Sequence, residues 1–273
     1  MMPEIPEFEE IELNGGLDEF ISLIGRRFPC AHNSYRGVSK SSYDLVPTLG
    51  RLPDFRSGSS KEKYELESSF LSRSFQARSP LGPAHYNEVA AAIAAQHHGA
   101  PTRLLDWSDS PLIALFFATE PKLGSKGIVF PENNAAVWVK HECPIEYNDK
   151  GAPKNRSFEL DVSTSQRFRK IDWNFGSCGF DPIVLTPRIS AQMGSFTLCE
   201  KPEIDLRKQS SQSISHIWKI VIPNFQIPKI QENLYRMGIR KRGIYPDEDG
   251  LNTSLIAEMY LDAKLSGRCS TEG

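Results

Sequence analysis

Apolar and polar positions alternate along this chain in two rhythms, and the rhythms change place several times. From Leu17 to Phe28 the apolar side of a short amphipathic helix is marked by Phe20, Ile21, Leu23 and Ile24. Lys61 to Arg78 carries the clearest three-and-four spacing, through Tyr64, Glu67, Phe70, Leu71 and Phe75, and Ser79-Pro80 followed by Gly82-Pro83 ends it. Tyr86 to His98 reads as an alanine-rich helix stopped by Gly99, and Leu112 to Thr119 as a helix apolar almost all round, hence central, with Ser108 or Ser110 as its cap and Pro111 in its first turn. Pro228 to Met237, stopped by Gly238, and Leu251 to Lys264 are the last helices expected.

Strands are expected at Ala31–Gly37, Thr102–Trp107, Ala135–Lys140, Ile183–Pro187, Gly194–Leu198 and Ile217–Ile222. Residues 43–60 are rich in Pro, Gly and Ser and read as a loop. The pattern predicts an α+β fold in which helices come early and antiparallel strands late. Residues 1–16 read as an acidic arm, 17–265 as a single domain with a candidate insertion at 143–180, and 266–273 as a disordered tail.

Composition narrows the function classes. The 273 residues carry a formal net charge of −2, which argues against a broad basic surface for nucleic acid. One basic stretch, Arg236 to Arg242, reads most simply as a solvated turn after a helix. The five cysteines (Cys30, Cys143, Cys178, Cys199, Cys269) are scattered and form no Cys-x-x-Cys pair, so a reducing compartment is expected, without a disulfide framework or structural zinc. The acidic start has no secretory signal pattern, and no apolar run approaches the roughly 18 residues needed to cross a bilayer. A cytoplasmic protein is the expectation.

Candidate chemistry concentrates between Gln96 and Ala118, where two histidines, an arginine, an aspartate and a tryptophan fall within the twelve residues from Gln96 to Trp107, ahead of a solid apolar block. Strand alternation puts Thr102, Leu104 and Asp106 on one face and Arg103, Leu105 and Trp107 on the other. An aspartate in so apolar a setting needs a hydrogen bond or a partner; Asp106 can orient Arg36, His97 or a substrate hydroxyl, or cap the next helix. Arg36, followed by Gly37, can offer a planar fork to a phosphate or carboxylate while glycine permits close approach; the plainer role is a structural pair with an acid such as Asp106. His97 and His98 point about 100° apart on a helix, so at most one faces a site and they rarely bind one metal together; the plainer role is a helix-terminal histidine that hydrogen-bonds the last turn. Trp107 can stack on a base or fill a core. Gln192, in a segment with Gly194 and Phe196, can hydrogen-bond a sugar hydroxyl or lie at the surface.

The run QHHGAPTRLLDWSDSPLIALFFA resembles the signature of the FRG domain family, named for a Phe/Tyr-Arg-Gly motif that is present here as Tyr35, Arg36 and Gly37. RISAQMGSFTL (Arg188 to Leu198) and GIYPDEDGLNTSL (Gly243 to Leu255) are similar to two further stretches of that mostly bacterial family, so the resemblance runs from about Ser34 to Leu255. The order of features also looks like the ADP-ribosyltransferase layout, which implies N-terminal helices packed on a mainly antiparallel, split β-sheet core. That resemblance implies NAD as substrate and no metal. It casts Arg36, Asp106 and Gln192 as catalytic, and Tyr35, Arg36, Gly37, His98, Thr102, Arg103, Trp107 and Phe196 as cofactor-binding. The third position of that layout is usually glutamate, and Gln192 departs from it, since an amide cannot act as a carboxylate base.

Three functions follow from this reading. The leading expectation is an NAD-dependent ADP-ribosyltransferase-like toxin or phage-defence effector that modifies a protein or nucleic-acid target. The second is a non-catalytic nucleotide- or nucleic-acid-binding domain using Arg36, Arg103 and Trp107. The third is a hydrolase or nuclease built on His97, His98 and Asp106. No membrane partner is expected, and the oligomeric state is left open.

Overall fold

The computed structural model describes residues 4–28, 32–53, 60–71, 88–124, 127–142, 176–180, 186–211 and 213–265. Its frame is a seven-stranded mixed sheet, so the fold class is α+β. Strand β1 is Glu7–Glu12, β2 Asn33–Val38, β3 Leu104–Ser108, β4 Lys122–Gly124, β5 Gly127–Val129, β6 Ala135–Glu142, β7 Cys178–Phe180, β8 Gly194–Leu198 and β9 Ile214–Ile222. The sheet runs β1-β9-β6-β2-β3-β8-β7, with β4 and β5 as a separate hairpin. Only the β1–β9 pairing is parallel among these. Helices are α1 Gly16–Arg27, α2 Thr48–Arg51, α3 Ser60–Ser68, α4 Glu88–His97, α5 Pro111–Thr119, α6 Pro187–Ala191, α7 Ile227–Arg236, α8 Lys241–Ile244 and α9 Glu248–Leu265. No helix of the described residues is long and apolar enough to cross a membrane.

The sheet is two halves joined by very little. Strands β1, β9, β6 and β2 pair continuously, as do β3, β8 and β7. Between the halves, β2 and β3 share the single register pair Tyr35↔Ser108. Beyond it the facing edges diverge, while Arg36 and Gly37 still pair with Trp138 and Val137 on β6, and Asp106 and Trp107 with Phe196 and Ser195 on β8. The split is a row of backbone groups without a ladder partner, which other groups must satisfy.

Three apolar clusters hold this frame. On one side of the first half, Val137, Val139, Ile220 and Ile222 pack with Phe20 of α1, Ala114 and Leu115 of α5, and Ile230 and Leu234 of α7. On the same side of the second half, Leu104, Phe196 and Leu198 pack under the alanines and Ile93 of α4. The opposite side is spanned by a third cluster, in which Leu105 and Trp107 from one half meet Trp138 and Ile217 from the other. Alternation along β3 therefore matches the face assignment made from its sequence. Ionic contacts reinforce the third cluster. The fully buried Lys140 of β6 reaches Thr197 of β8 at 3.3 Å and Glu142 at 2.9 Å. Asp205 accepts from the backbone of Leu45 and Arg207 and from the Arg207 guanidinium, which lies over the rings of Phe8 and Trp138.

Several local expectations differ from the fold. Residues 7–12 of the supposed arm are an edge strand. Their backbone pairs with β9, and Glu9 and Glu10 are matched by Arg27 and Lys219. Of the expected strand Ile183–Pro187, residues 183–185 lie outside the described set, and Pro187 opens α6, which Thr186 caps by accepting from the backbone of Ile189. Helices and strands are interleaved rather than segregated, since β1, β2 and β3 all precede the β-rich half of the chain. Of the candidate insertion, residues 143–175 lie outside the described set, and Cys178–Phe180 is strand β7. The expected tail, residues 266–273, also lies outside it.

Two predictions concern the frame. A Cβ at Gly37 would sit 1.9 Å from the carbonyl oxygen of Ala114 and 2.6 Å from the nitrogen of Ala118, so Gly37→Ala must push α5 away from β2. Overpacking of this kind costs about 1–3 kcal/mol, and urea unfolding should show a loss of that size. Burial raises the pKa of Asp205, but hydrogen bonds and charge from Arg207 outweigh it and hold the carboxyl below its ordinary 3.8. The stability difference between wild type and Asp205→Asn should be full above about pH 4 and should close as acid protonates the folded-state carboxylate, measured by urea unfolding across pH.

Candidate functional site

The split in the sheet opens into a cavity of about 480 Å3, framed by α4 on one side and the end of α5 on the other. Strand β2 supplies the Tyr-Arg-Gly motif, and each residue does something different. Tyr35 is buried and belongs to the first cluster. Gly37 admits the backbone of α5, so what approaches it closely is this helix. Arg36, between them, projects into the split and spans it. Its Nη1 donates to the carbonyl oxygen of Asp106 at 2.7 Å and meets the Asp106 carboxylate at 2.5 Å. The carbonyl left by the parting of the strands is thus satisfied by a side chain. Both contacts use Nη1; Nε and Nη2 have no partner among the described residues.

Asp106 is held from two directions. Arg36 contacts one carboxylate oxygen, and Gln96 Nε2 donates to the same oxygen at 3.2 Å. Gln96 in turn accepts from the hydroxyl of Thr102. The Asp106 side chain is 62% exposed, whereas that of Arg36 is 17% exposed, so the carboxylate faces the solvent of the cavity while protein surrounds it. Desolvation raises its pKa, but the Arg36 charge and hydrogen bond, aided by Arg51, leave it below the ordinary carboxylate value. The site therefore presents an ionised carboxylate against a fixed guanidinium at neutral pH. Asp106 does not cap α5; Ser110 does, accepting from the backbone of Ile113, and Ser108 supports it by accepting from the backbone of Ser110.

The far wall comes from the two C-terminal motifs. Gln192 ends α6, donates to the carbonyl of Ile244 at 3.3 Å, and accepts at its own carbonyl from Ser108 at 2.7 Å. Met193, next to it, adopts φ 47°, an uncommon conformation for a non-glycine residue, at the turn into β8. Phe196 then points to the cavity from β8. Tyr245 closes the wall: its hydroxyl donates to Glu120 at 3.1 Å, Arg188 lies over its ring at 4.9 Å, and Arg188 is tied to Asp247 at 2.5 Å. A Cβ at Gly250 would meet the Tyr245 backbone at 2.3 Å, which accounts for glycine in the Asp-x-Asp-Gly stretch.

The structure thus gathers Tyr35, Arg36, Gly37, Asp106, Trp107, Gln192 and Phe196 around one cavity. Three expected residues stand elsewhere. Arg103 points to the opposite side, where both it and Glu67 are buried, at 2.8 and 2.9 Å, and it also donates to the carbonyls of Cys199 and Glu200. That contact pins α3 to the sheet, and it follows from the alternation that put Arg103 opposite Asp106. His98 does not line the cavity; His97 does, because α4 ends with that side turned inward. Burial lowers the pKa of His97, and the charges of Arg188 and His98 lower it further, so the imidazole is neutral at pH 7. Thr102 acts through Gln96 rather than at the cavity surface. Trp107 is almost fully buried, with the Lys140 ammonium 5.1 Å from its ring, so it borders the cavity from the core.

Sequence reasoning missed Gln96, Glu120 and Tyr245. Gln96 opens the very run that drew attention, and its helical position one turn before Gly99 was the available signal. Burial pushes the thiols of Cys178 and Cys199 up to about 12, which makes them poor nucleophiles. No group of three or more metal-ligating side chains occurs among the described residues. Within the basic stretch, Lys241 pairs with Glu120, Arg242 lies 3.7 Å from Glu258, and Arg240 lies over the ring of Tyr235.

No curated protein and no solved structure matches the chain. Residues 31–126 match the family model of the FRG domain, a span that includes the Tyr-Arg-Gly motif, Asp106 and the two helices framing the cavity, while Gln192, Phe196 and Tyr245 lie beyond it. The chain therefore carries an FRG domain at residues 31–126, whose namesake arginine bridges the split in the sheet.

Proposed function

We propose that the cavity binds NAD and that the protein is an ADP-ribosyltransferase-like enzyme. The observation that carries this reading is the convergence of Arg36, Asp106 and Gln192 on one cavity at the split between two half-sheets. These residues are far apart in sequence, and the layout inferred from their order required them to meet. The cavity volume suits a nucleotide, and its lining mixes aromatic rings with a few placed polar groups.

In this reading Arg36 holds a phosphate or ribose oxygen through Nε and Nη2, the donors that Asp106 does not use. Asp106 keeps the guanidinium in place and supplies negative charge near the ribose. Gln192 offers an amide to a ribose hydroxyl. The reaction breaks the bond between nicotinamide and the anomeric carbon. Nicotinamide leaves with the electron pair, and a nucleophilic group of the target bonds to that carbon and gives up its proton. Positive charge develops on the sugar in the transition state, and an ionised Asp106 stabilises it electrostatically. No glutamate occupies the third position, so the target group must be nucleophilic without help from a base there. A toxin or phage-defence role, with a protein or nucleic acid as target, is the biological setting we propose for this chemistry.

The same departure at Gln192 favours a second reading, a nucleotide-binding domain without turnover. One experiment separates the two. Purified protein incubated with NAD in cell extract should release nicotinamide and transfer label to a macromolecule, and Arg36→Ala should abolish both. Loss of a charge-assisted hydrogen bond is worth about 2 kcal/mol, so Arg36→Ala should weaken NAD binding roughly thirtyfold, read by calorimetry. Binding that depends on Arg36 without nicotinamide release would identify the binding domain. The absence of both turnover and binding at millimolar NAD would remove NAD from the account.

A further inference from the structure

The amide of Gln192 leaves the proposed reaction without a proton acceptor at that position, yet a glutamate lines the same cavity. Glu120 stands at the C-terminal cap of α5. Packing sets its place beside the motif. Helix α5 lies against Gly37, the neighbour of Arg36 on β2, through the backbone of Ala114 and Ala118, and Glu120 follows closely along the chain. A series of contacts joins it to the far wall. Tyr245 donates to its Oε2 at 3.1 Å, Gln192 donates to the adjacent carbonyl of Ile244 at 3.3 Å, and the Gln192 carbonyl accepts from Ser108 of β3 at 2.7 Å. Lys241, which does not line the cavity, holds the other carboxylate oxygen, Oε1, at 2.7 Å. A carboxylate has about four acceptor sites, so one partner on each oxygen leaves each with a lone pair to offer.

The other groups of the wall are less suited to take a proton. Desolvation raises the pKa of Tyr245 and the Glu120 charge raises it further, so its hydroxyl stays protonated and serves as a donor. Burial lowers the pKa of His97. Asp106 is engaged by Arg36 and Gln96, and against desolvation the Arg36 charge holds its carboxyl below the ordinary value. The plainer role for Glu120 is a structural tie between α5 and the segment that carries Lys241 and Tyr245.

We propose that Glu120 is the proton acceptor of the transfer and that the attacking group of the target is a hydroxyl. This deepens the transferase reading and rests on it. The hydroxyl oxygen bonds to the anomeric carbon through a lone pair as the bond to nicotinamide breaks. Nicotinamide leaves with the electron pair of that bond, and the hydroxyl proton passes to a Glu120 oxygen. A dedicated acceptor suits a hydroxyl, because an anion or a free amine attacks without one. The test compares wild type, Glu120→Gln and Lys241→Met for nicotinamide release and label transfer in cell extract, with NAD affinity read by calorimetry. Both variants lose the same ion pair, and only one loses the carboxylate. General base catalysis is worth about a hundredfold or more, so Glu120→Gln should lower kcat by that factor with NAD affinity almost unchanged. Lys241→Met should lower it only a few-fold. Azide, a nucleophilic anion with no proton to give up, should restore nicotinamide release in Glu120→Gln. Equal losses in the two variants would make Glu120 a structural tie and overturn the proposal, as would a wild-type kcat in Glu120→Gln; the transferase reading survives either result. NAD left intact by wild type would remove that reading and this role with it.

Discussion

One side chain crosses a gap that the backbone leaves open. Strands β2 and β3 share a single register pair, and past it Arg36 takes over, bonding both the freed carbonyl and the carboxylate of Asp106. Unpaired backbone groups beside an apolar interior are costly, so a sheet parted in this way needs a compensating polar group at that point. The compensation is also what makes a site. A guanidinium and an ionised carboxylate are fixed at the base of a cavity, and Gln96 and Thr102 hold the carboxylate from the other side. The three letters of the motif then have separate physical causes: Tyr35 anchors the strand in the core, Arg36 bridges the split, and Gly37 lets helix α5 lie against the strand.

The opposite face keeps the two halves from separating further. Trp107, Trp138, Leu105 and Ile217 pack across the divide, and Lys140 reaches from β6 to Thr197 on β8. The site is therefore an opening on one side of a sheet that is closed on the other. This arrangement keeps Arg36 and Asp106 at fixed separation. A neutral His97, the Glu120–Tyr245 pair and the amide of Gln192 complete the wall.

Much of the fold was legible because long periodic segments dominate their own structure. The helix from Gly16, the apolar helix from Pro111 with its serine cap, and strands β6, β8 and β9 all fall where hydrophobic rhythm puts them. The alternation at 102–107 even separated Asp106 from Arg103. Edge strand β1 was hidden because its acids look like a solvated arm until Arg27 and Lys219 are brought to them by the fold. Most of the strand expected at Ile183–Pro187 lies outside the described residues, and its last residue opens α6 under the Thr186 cap. At the site, types and order pointed to Arg36, Asp106 and Gln192, but the inward-facing histidine depends on where α4 ends, and Gln96, Glu120 and Tyr245 are joined to the cavity by contacts that no local pattern encodes.

The central claim is that the split bridged by Arg36 is where ligand chemistry takes place. The most direct measurement is a crystal structure of the full chain grown with NAD. The account predicts electron density in the split, with a phosphate or ribose oxygen within hydrogen-bond reach of the Arg36 guanidinium and the ribose beside Asp106 and Gln192. An undisturbed Arg36–Asp106 bridge with an unoccupied split, and NAD bound elsewhere or nowhere, would contradict it.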